Sequence, residues 1–217
     1  MSIVEEVSVI ERLRSRQLTT IEEVYAINGE PNDLILQKHT SYLTPLLEQF
    51  IAAAPFFMIA TSDAEGNVDV SPKGDPKSSV KILDARTMVI PDRLGNRRVD
   101  GHRNILQNPH IGLIFVVPAV EETVRVNGRA FLTDDPAMLE SMQVQGKVPK
   151  LATVVEIDEV YVHCSRSFLR AGLWKTETWP DPDTIPTIGA MMAEQKGWEP
   201  PDESQGKRQE EYRKVLY

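Results

Sequence analysis

The stretch that decides the fold is IPDRLGNRR at residues 90–98, which follows DVSPKGD at residues 69–75. Each segment predicts a short strand that ends in a glycine-containing turn with cationic side chains. The second turn leads into residues 99–107, whose pattern predicts a helix. Backbone N–H groups of a turn and of a helix N-terminus, together with fixed cations, bind anions. The two segments therefore predict an anion site.

The local charge of this region opposes the charge of the whole chain. The formal net charge is -8, yet residues 93–103 contain four arginines. Arginine suits phosphate because its planar fork gives paired donors. These cations favour a bound phosphate group. The alternative is that residues 93–103 form a solvated helix face without a ligand.

Length and composition bound the class of protein. The chain has 217 residues, of which 41% are hydrophobic and 26% charged, as in a soluble globular protein. This length allows one substantial core or a domain with attachments. The negative charge argues against nucleic-acid binding, which needs a broad basic surface. The apolar run at residues 51–60 is too short to span a membrane and contains a proline. No basic segment followed by an apolar one begins the sequence, so we expect a cytoplasmic protein.

We expect no metal site. The histidines, His39, His102, His110 and His163, stand at no spacing typical of metal ligands. Adjacent residues on a strand point to opposite faces, so His163 and Cys164 are not expected to share a metal. With one cysteine, the chain has no internal disulfide.

Residues 1–54 predict an N-terminal helical segment that packs on the main domain. Thr20 and Glu23 have the spacing of a capping box, and residues 28–31 break the helix that follows. Thr44-Pro45 opens a second helix, with proline at its first position. Its apolar residues recur at helical spacing, so one face is expected to lie on a core.

From residue 55 the pattern is that of short β-strands. Strands are predicted at residues 56–61, 68–71, 80–83, 87–90, 111–117, 123–133 and 151–163. A bulge or bend is expected at Asn127-Gly128. Because hairpins join several of these strands, we predict a mainly β fold with peripheral helices, a closed or partly closed antiparallel barrel over residues 55–179. Residues 180–217 predict a C-terminal extension, with a helix at residues 187–196, that lies on the surface or on a partner subunit.

Residues 69–75 and 90–100, followed by NILQNPHIGL at 104–113 and TVRVNGRA at 123–130, closely resemble the pyridoxamine 5'-phosphate oxidase-like flavin-binding proteins, most of all their bacterial branch of FMN-dependent enzymes. Residues 161–164 and Leu173-Trp174 extend the similarity, which covers roughly residues 56–179. The resemblance implies an FMN-binding split β-barrel. It also implies a homodimer with FMN in two clefts at the subunit interface.

The resemblance implies which residues bind FMN. Val70 and Ser71 would offer backbone groups beside the flavin. Lys73, on the same strand, would place a cation near the ring edge or the ribityl chain. The arginines and the asparagine of the turn at residues 92–98 would bind the phosphate. A tryptophan–lysine pair would come from the second subunit. The implied cofactor-binding residues are Val70, Ser71, Lys73, Gly74, Ile90, Pro91, Asp92, Arg93, Asn96, Arg97, Arg98, Trp174 and Lys175. The sequence leaves open whether Arg97 or Arg98 faces the phosphate, and whether Trp174 contacts flavin or is an ordinary core or interface residue.

The function implied is that of an FMN-dependent oxidoreductase that transfers hydride at flavin N5 to or from a small molecule. The substrate and the catalytic residues stay open. Residues 174–180, WKTETWP, replace the Arg- and His-containing segment with which the true oxidases grip their substrate, so pyridoxamine phosphate oxidation is not expected. The alternatives are a non-catalytic flavin- or haem-binding protein and a deazaflavin-dependent reductase.

Overall fold

A computed structural model describes residues 3–75 and 79–216, with side chains from residue 9 onward. The chain divides into two compact units, Met1–Lys38 and His39–Tyr217. The first unit contains three helices, α1 (Ile3–Arg14), α2 (Ile21–Asn28) and α3 (Asp33–Leu36). The predicted capping box at the start of α2 is confirmed, because Thr20 Oγ1 accepts a hydrogen bond from the Glu23 amide and Glu23 Oε2 accepts one from the Thr20 amide.

The second unit is built on one eight-stranded antiparallel sheet. Its strands are β1 (His39–Thr40), β2 (Phe56–Ser62), β3 (Val68–Gly74), β4 (Lys81–Asp84), β5 (Thr87–Pro91), β6 (His110–Val116), β7 (Thr123–Thr133) and β8 (Ala152–His163). The strand order is β3-β2-β6-β7-β8-β5-β4, and β1 pairs with β8 beyond β5. The sheet is not closed, since among the described residues no ladder joins β3 to β4 or β5. Of the two forms expected from the sequence, the partly closed barrel is the one observed.

The core lies inside the curved sheet. Alternate residues of neighbouring strands point inward in register, for example Phe57, Phe115 and Val124 on β2, β6 and β7. The rings of Phe57 and Phe115 are 5.1 Å apart between centroids. Helix α4 (Pro45–Ala53) adds the buried Ile51 to this core, and Thr44 caps the helix as predicted. The expected structural role of this helix is confirmed.

Strand β7 contains the predicted bulge. The pairing of β7 with β8 shifts register between Asn127 and Gly128. A Cβ atom on Gly128 would lie 2.2 Å from the Glu156 carbonyl oxygen, so only glycine allows β8 to approach this closely.

The remaining helices follow or connect the strands. They are α5 (Asp100–Gln107), α6 (Pro136–Glu140), α7 (Arg166–Ala171), α8 (Ile188–Lys196) and α9 (Gln205–Arg213), with short 3₁₀ turns at Thr176–Thr178 and Pro182–Thr184. On the outer side of β5 and β8, Val89 and Val154 pack against Leu139 and Met142, at and just beyond α6. The helices predicted after residue 99 and at residues 187–196 are confirmed, whereas β1 and α7 were not anticipated. Among the described helices, none has the length and apolarity needed to cross a membrane.

Candidate functional site

A cleft of about 200 Å³ opens where β3 and β5 end. These strands stand far apart in the strand order, but the curl of the sheet brings their ends together across its open side. The cleft is lined by Phe57, Pro72, Lys73, Gly74, Ser79, Ile90, Pro91, Arg93, Leu94 and Gly95. Five of the predicted cofactor-binding residues, one lysine, one arginine and three strand-end residues, therefore share one cavity.

Two ion pairs cross the open side of the sheet beside this cleft. Lys73 Nζ lies 3.4 Å from Asp92 Oδ1, and Arg93 Nε lies 2.6 Å from Asp75 Oδ2. The Asp75 side chain is only 1% exposed and that of Arg93 16%, so the second pair is largely buried. Asp75 was not predicted as a site residue. The signal available in the sequence was its position at the end of the DVSPKGD segment, two residues after Lys73.

The loop between β5 and α5 has an unusual backbone. Arg97 and Val99 have positive φ angles of 61° and 54°. The left-handed conformation is unfavourable for a β-branched residue such as Val99 and costs on the order of 1–3 kcal/mol. Val99 is also the N-cap of α5, and it gives the helix no side-chain hydrogen bond. Val99 therefore leaves the first N–H groups of α5 without a cap from its side chain, so that they can donate to water or to an anion.

The cations of this loop differ in their partners. Arg98 is 76% exposed, and its Nε donates to Asp100 Oδ2. Asn96 Oδ1 accepts a hydrogen bond of 3.0 Å from the Arg98 amide. Among the described residues, no carboxylate lies within 4.0 Å of the exposed Arg97 guanidinium. Arg97 is therefore the arginine of this pair with its charge open to an outside anion.

The residues present fit part of an FMN molecule. The loop cations and the uncapped start of α5 suit a phosphate, and the buried Phe57, Ile90 and Pro91 give the cleft an apolar lining. Pockets that enclose ligands of this size usually measure about 300–1,000 Å³. The cleft, with about 200 Å³, lies below this range.

Helix α5 is fixed to the sheet by a polar contact that the sequence did not reveal. The buried Asn104 donates from Nδ2 to Thr61 Oγ1 at 3.0 Å and to Asp69 Oδ2 at 2.9 Å. These bonds join the helix to β2 and β3 at once. They set the position of the loop that precedes α5.

His102 on α5 was also not predicted, because an isolated histidine carries no signal by itself. Its Nε2 lies 3.5 Å from Asp92 Oδ1, and its buried Nδ1 has no hydrogen-bond partner in the described part of the chain. Burial lowers the pKa of His102, and the charge of Lys73 lowers it further, while Asp92 acts in the opposite direction. The net effect favours the neutral imidazole.

The other predicted residues lie outside the cleft lining. Val70 and Ser71 precede it on β3, whose outer edge pairs with no described strand, so that backbone groups on this edge face outward. Trp174 Nε1 donates to the Val120 carbonyl at 2.9 Å, in the loop before β7. Whether Trp174 and Lys175 reach a cofactor held by a second subunit stays a prediction. In the described residues, no group of three His, Cys, Asp or Glu side chains is arranged to hold a metal ion.

The family model described as pyridoxamine 5'-phosphate oxidase matches residues 43–164, more than half of the chain. The chain belongs to the pyridoxamine 5'-phosphate oxidase family. The match contains β2 to β8 and α5, and therefore every residue of the cleft, whereas Trp174 and Lys175 lie beyond it. The resemblance found in the sequence is confirmed at the level of the family.

Three solved structures illustrate the similarity at the level of the chain trace. HupZ of Group A Streptococcus is 23% identical, with a TM-score of 0.45, and the alignment covers 54% of this chain and 91% of that one. An FMN-binding protein of Syntrophomonas wolfei is 11% identical, with a TM-score of 0.44 and coverage of 72% and 97%. An F420 reductase is 16% identical, with a TM-score of 0.40 and coverage of 52% and 94%. All three TM-scores are below 0.5, so these similarities establish no function. No curated protein matches the chain.

Proposed function

We propose that this member of the family binds FMN in the cleft and is an FMN-dependent oxidoreductase. The observation that carries the proposal is the convergence of Lys73, Gly74, Ile90, Pro91 and Arg93 on one cavity at the open side of the sheet. These residues come from two strands that are remote in sequence and in strand order. The wall is apolar where a ring would lie, and the cations stand at its rim.

Different residues would bind the phosphate and the flavin ring of FMN. The loop that contains Asn96, Arg97 and Arg98, with the uncapped start of α5, would hold the phosphate. Lys73 would place a positive charge beside the ring, and Phe57 and Ile90 would exclude water from it. When bound, FMN would supply hydride transfer at N5. The protein would contribute binding, orientation and electrostatics, and we assign no catalytic base.

The proposed substrate is a small molecule other than pyridoxamine 5'-phosphate. The segment at residues 174–180 carries no Arg-x-His pair with which a phosphorylated pyridoxamine could be gripped. Its Trp174 is held by the Val120 carbonyl, and Trp179 Nε1 donates to the Leu173 carbonyl. The identity of the substrate is left open.

We also propose that the protein is a homodimer whose second copy completes the cofactor site. Two features support a second copy as the occupant of this surface. The cleft, with about 200 Å³, is smaller than pockets that usually enclose a ligand of this size. Next to it, the outer face of β2 and β3 exposes apolar side chains, with Val68 66% and Val70 62% exposed and Phe56 and Met58 beside them. Such a face on a curved sheet is typical of an interaction surface.

The absorption spectrum of the purified protein tests the cofactor. A flavin spectrum is expected, whereas a Soret band would indicate haem and a deazaflavin spectrum the corresponding reductase. Reduction of the bound flavin by NADH or NADPH, followed by turnover with an added acceptor, would then support an enzyme. A flavin that no nicotinamide donor reduces would support the non-catalytic carrier instead.

A further inference from the structure

We infer that His102 is a positioning residue that fixes the Asp92 carboxylate, and that Asp92 in turn fixes the Lys73 ammonium at the cleft. The inference deepens the proposed function, on which it rests for the identity of the ligand. The three side chains come from α5, the turn after β5 and the end of β3. They therefore connect a helix to both strands that border the cleft.

The contacts show which of the three residues, His102, Asp92 and Lys73, holds the others in place; we call this series of contacts the relay. Both contacts of Asp92 are made by the same oxygen, since Oδ1 lies 3.5 Å from His102 Nε2 and 3.4 Å from Lys73 Nζ. The Lys73 and Asp92 side chains are each 32% exposed, and such a half-exposed pair holds a flexible lysine only weakly by itself. His102 is 14% exposed and sits on a helix that Asn104 ties to β2 and β3. The fixed end of the relay is therefore His102.

The hydrogen-bonding capacity of the imidazole fits this role. Its Nε2 faces Asp92 Oδ1 at 3.5 Å, and because a carboxylate only accepts hydrogen bonds, this contact is favourable when Nε2 carries a proton. The other ring nitrogen, Nδ1, is buried and has no hydrogen-bond partner among the described residues. Among those residues, the Asp92 carboxylate is therefore the polar group that the ring faces.

Asp92 and Lys73 are the charged groups that act on His102. Helix α5 packs against β2, β3 and β7, and β2 carries no ionisable side chain. The other ionisable groups on these elements and on α5 are Asp69, Asp100, Arg103, Arg125 and Arg129. Four of them contact other side chains. Asp69 accepts a hydrogen bond from Asn104, and Asp100 pairs with Arg98. Arg125 pairs with Glu159, and Arg129 lies near Glu156 and Asp158. Arg103 is exposed.

The first test is a cycle of FMN affinities with His102→Leu, Lys73→Met and the double variant, measured by fluorescence titration. His102→Leu should weaken FMN binding about three- to tenfold in the wild-type background and have no effect in the Lys73→Met background. His102→Gln, whose side-chain amide can still donate to Asp92, should retain most of the affinity. His110→Leu, at an exposed histidine, is the matched control. An equal loss from His102→Leu in both backgrounds would show a merely structural role and overturn the relay.

The second test needs no flavin. Histidine titrations followed by NMR in the unliganded protein should show a lower pKa for His102 in Asp92→Asn and a higher one in Lys73→Met, because each variant removes one charge that acts on the ring. The pKa of His163, which is lowered by burial and by Arg125, should stay unchanged in both. If neither variant moves the His102 titration, the relay is wrong. If the wild type fails to bind FMN, the proposed function alone is contradicted, since the titration still decides the relay.

Discussion

Arg93 Nε lies 2.6 Å from Asp75 Oδ2, and this contact joins the turn after β5 to the end of β3 across the open side of the sheet. No ladder between described residues closes this side of the sheet. The ion pair therefore links two strand ends that no backbone hydrogen bonds between strands connect. Together with the pair of Lys73 and Asp92, it links the two strand ends that border the candidate cofactor cleft.

Breaking this pair should destabilise the fold. Arg93→Met leaves the nearly inaccessible Asp75 carboxylate without its arginine, and removal of one partner from a buried pair costs several kcal/mol. Because Arg93 keeps some exposure, we expect a loss of about 2–4 kcal/mol in the free energy of unfolding by urea. Arg98→Met, at the exposed pair with Asp100, is the control and should cost less than about 1 kcal/mol. Equal losses in the two variants would contradict the structural role of the Arg93–Asp75 pair.

The phosphate of FMN should dominate its affinity. Each hydrogen bond between a charged group and phosphate contributes about 1.5–3 kcal/mol, so two such bonds separate FMN from riboflavin by roughly a hundredfold to ten-thousandfold. Calorimetry with both ligands on the same preparation measures this ratio. Equal affinities would show that Arg97 and Arg98 form a solvated surface and not a phosphate site.

Arg97 should contribute more to FMN binding than Arg98. Arg98 already donates to Asp100, whereas Arg97 has no carboxylate within 4.0 Å among the described residues. Arg97→Ala should weaken FMN binding by about 1.5–3 kcal/mol, and Arg98→Ala by clearly less. Arg103→Ala, at an exposed arginine farther along α5, serves as the control for a general loss of positive charge. The reverse ranking of Arg97 and Arg98 would mean that Arg98 leaves Asp100 when the ligand binds.

The outer face of β3 should determine the oligomeric state. Val68→Lys places a charge on the exposed apolar face of β2 and β3, and we expect dimers of the wild type to become monomers in sedimentation experiments. Val148→Lys, at an exposed valine in the loop before β8, is the matched control and should remain dimeric. FMN affinity should fall together with dimerisation if the second copy completes the cleft. A monomer with full FMN affinity would show that one chain builds the whole site.

Local signals in the sequence account for most of the fold. The capping box at Thr20 and Glu23, the proline that opens α4 and the bulge at Gly128 each depend on residues within a few positions of one another. Alternating apolar residues locate the strands because one face of each must be buried. Such patterns can be read without knowing where the strands lie in space.

The contacts that organise the cleft could not be read in this way. Asp75 and Arg93, like Asn104 and Asp69, are separated in sequence and meet only because the sheet curls and α5 docks on it. No local pattern in the sequence says which polar residue contacts which, because the members of each pair lie on different strands, turns or helices. Trp174 has its partner, the Val120 carbonyl, 54 residues away. Family resemblance located the site, but these partners depend on three-dimensional packing.

Stability should depend on pH through His102. Its pKa in the folded protein is lowered from 6.5, chiefly by burial, so the unfolded chain binds more protons than the folded one once the pH falls below about 6.5. The free energy of unfolding should therefore fall as the pH is lowered from 7 towards 5. His102→Gln removes this titration, so its stability should change less over the same interval, while the contribution of His163, whose pKa burial and Arg125 also lower, is the same in both proteins. Carboxylates with lowered pKa values, such as Asp63, titrate at lower pH and do not obscure this interval. Urea unfolding at half-unit steps of pH measures the slopes, and identical slopes for the wild type and His102→Gln would show that the burial of this imidazole does not oppose its protonation.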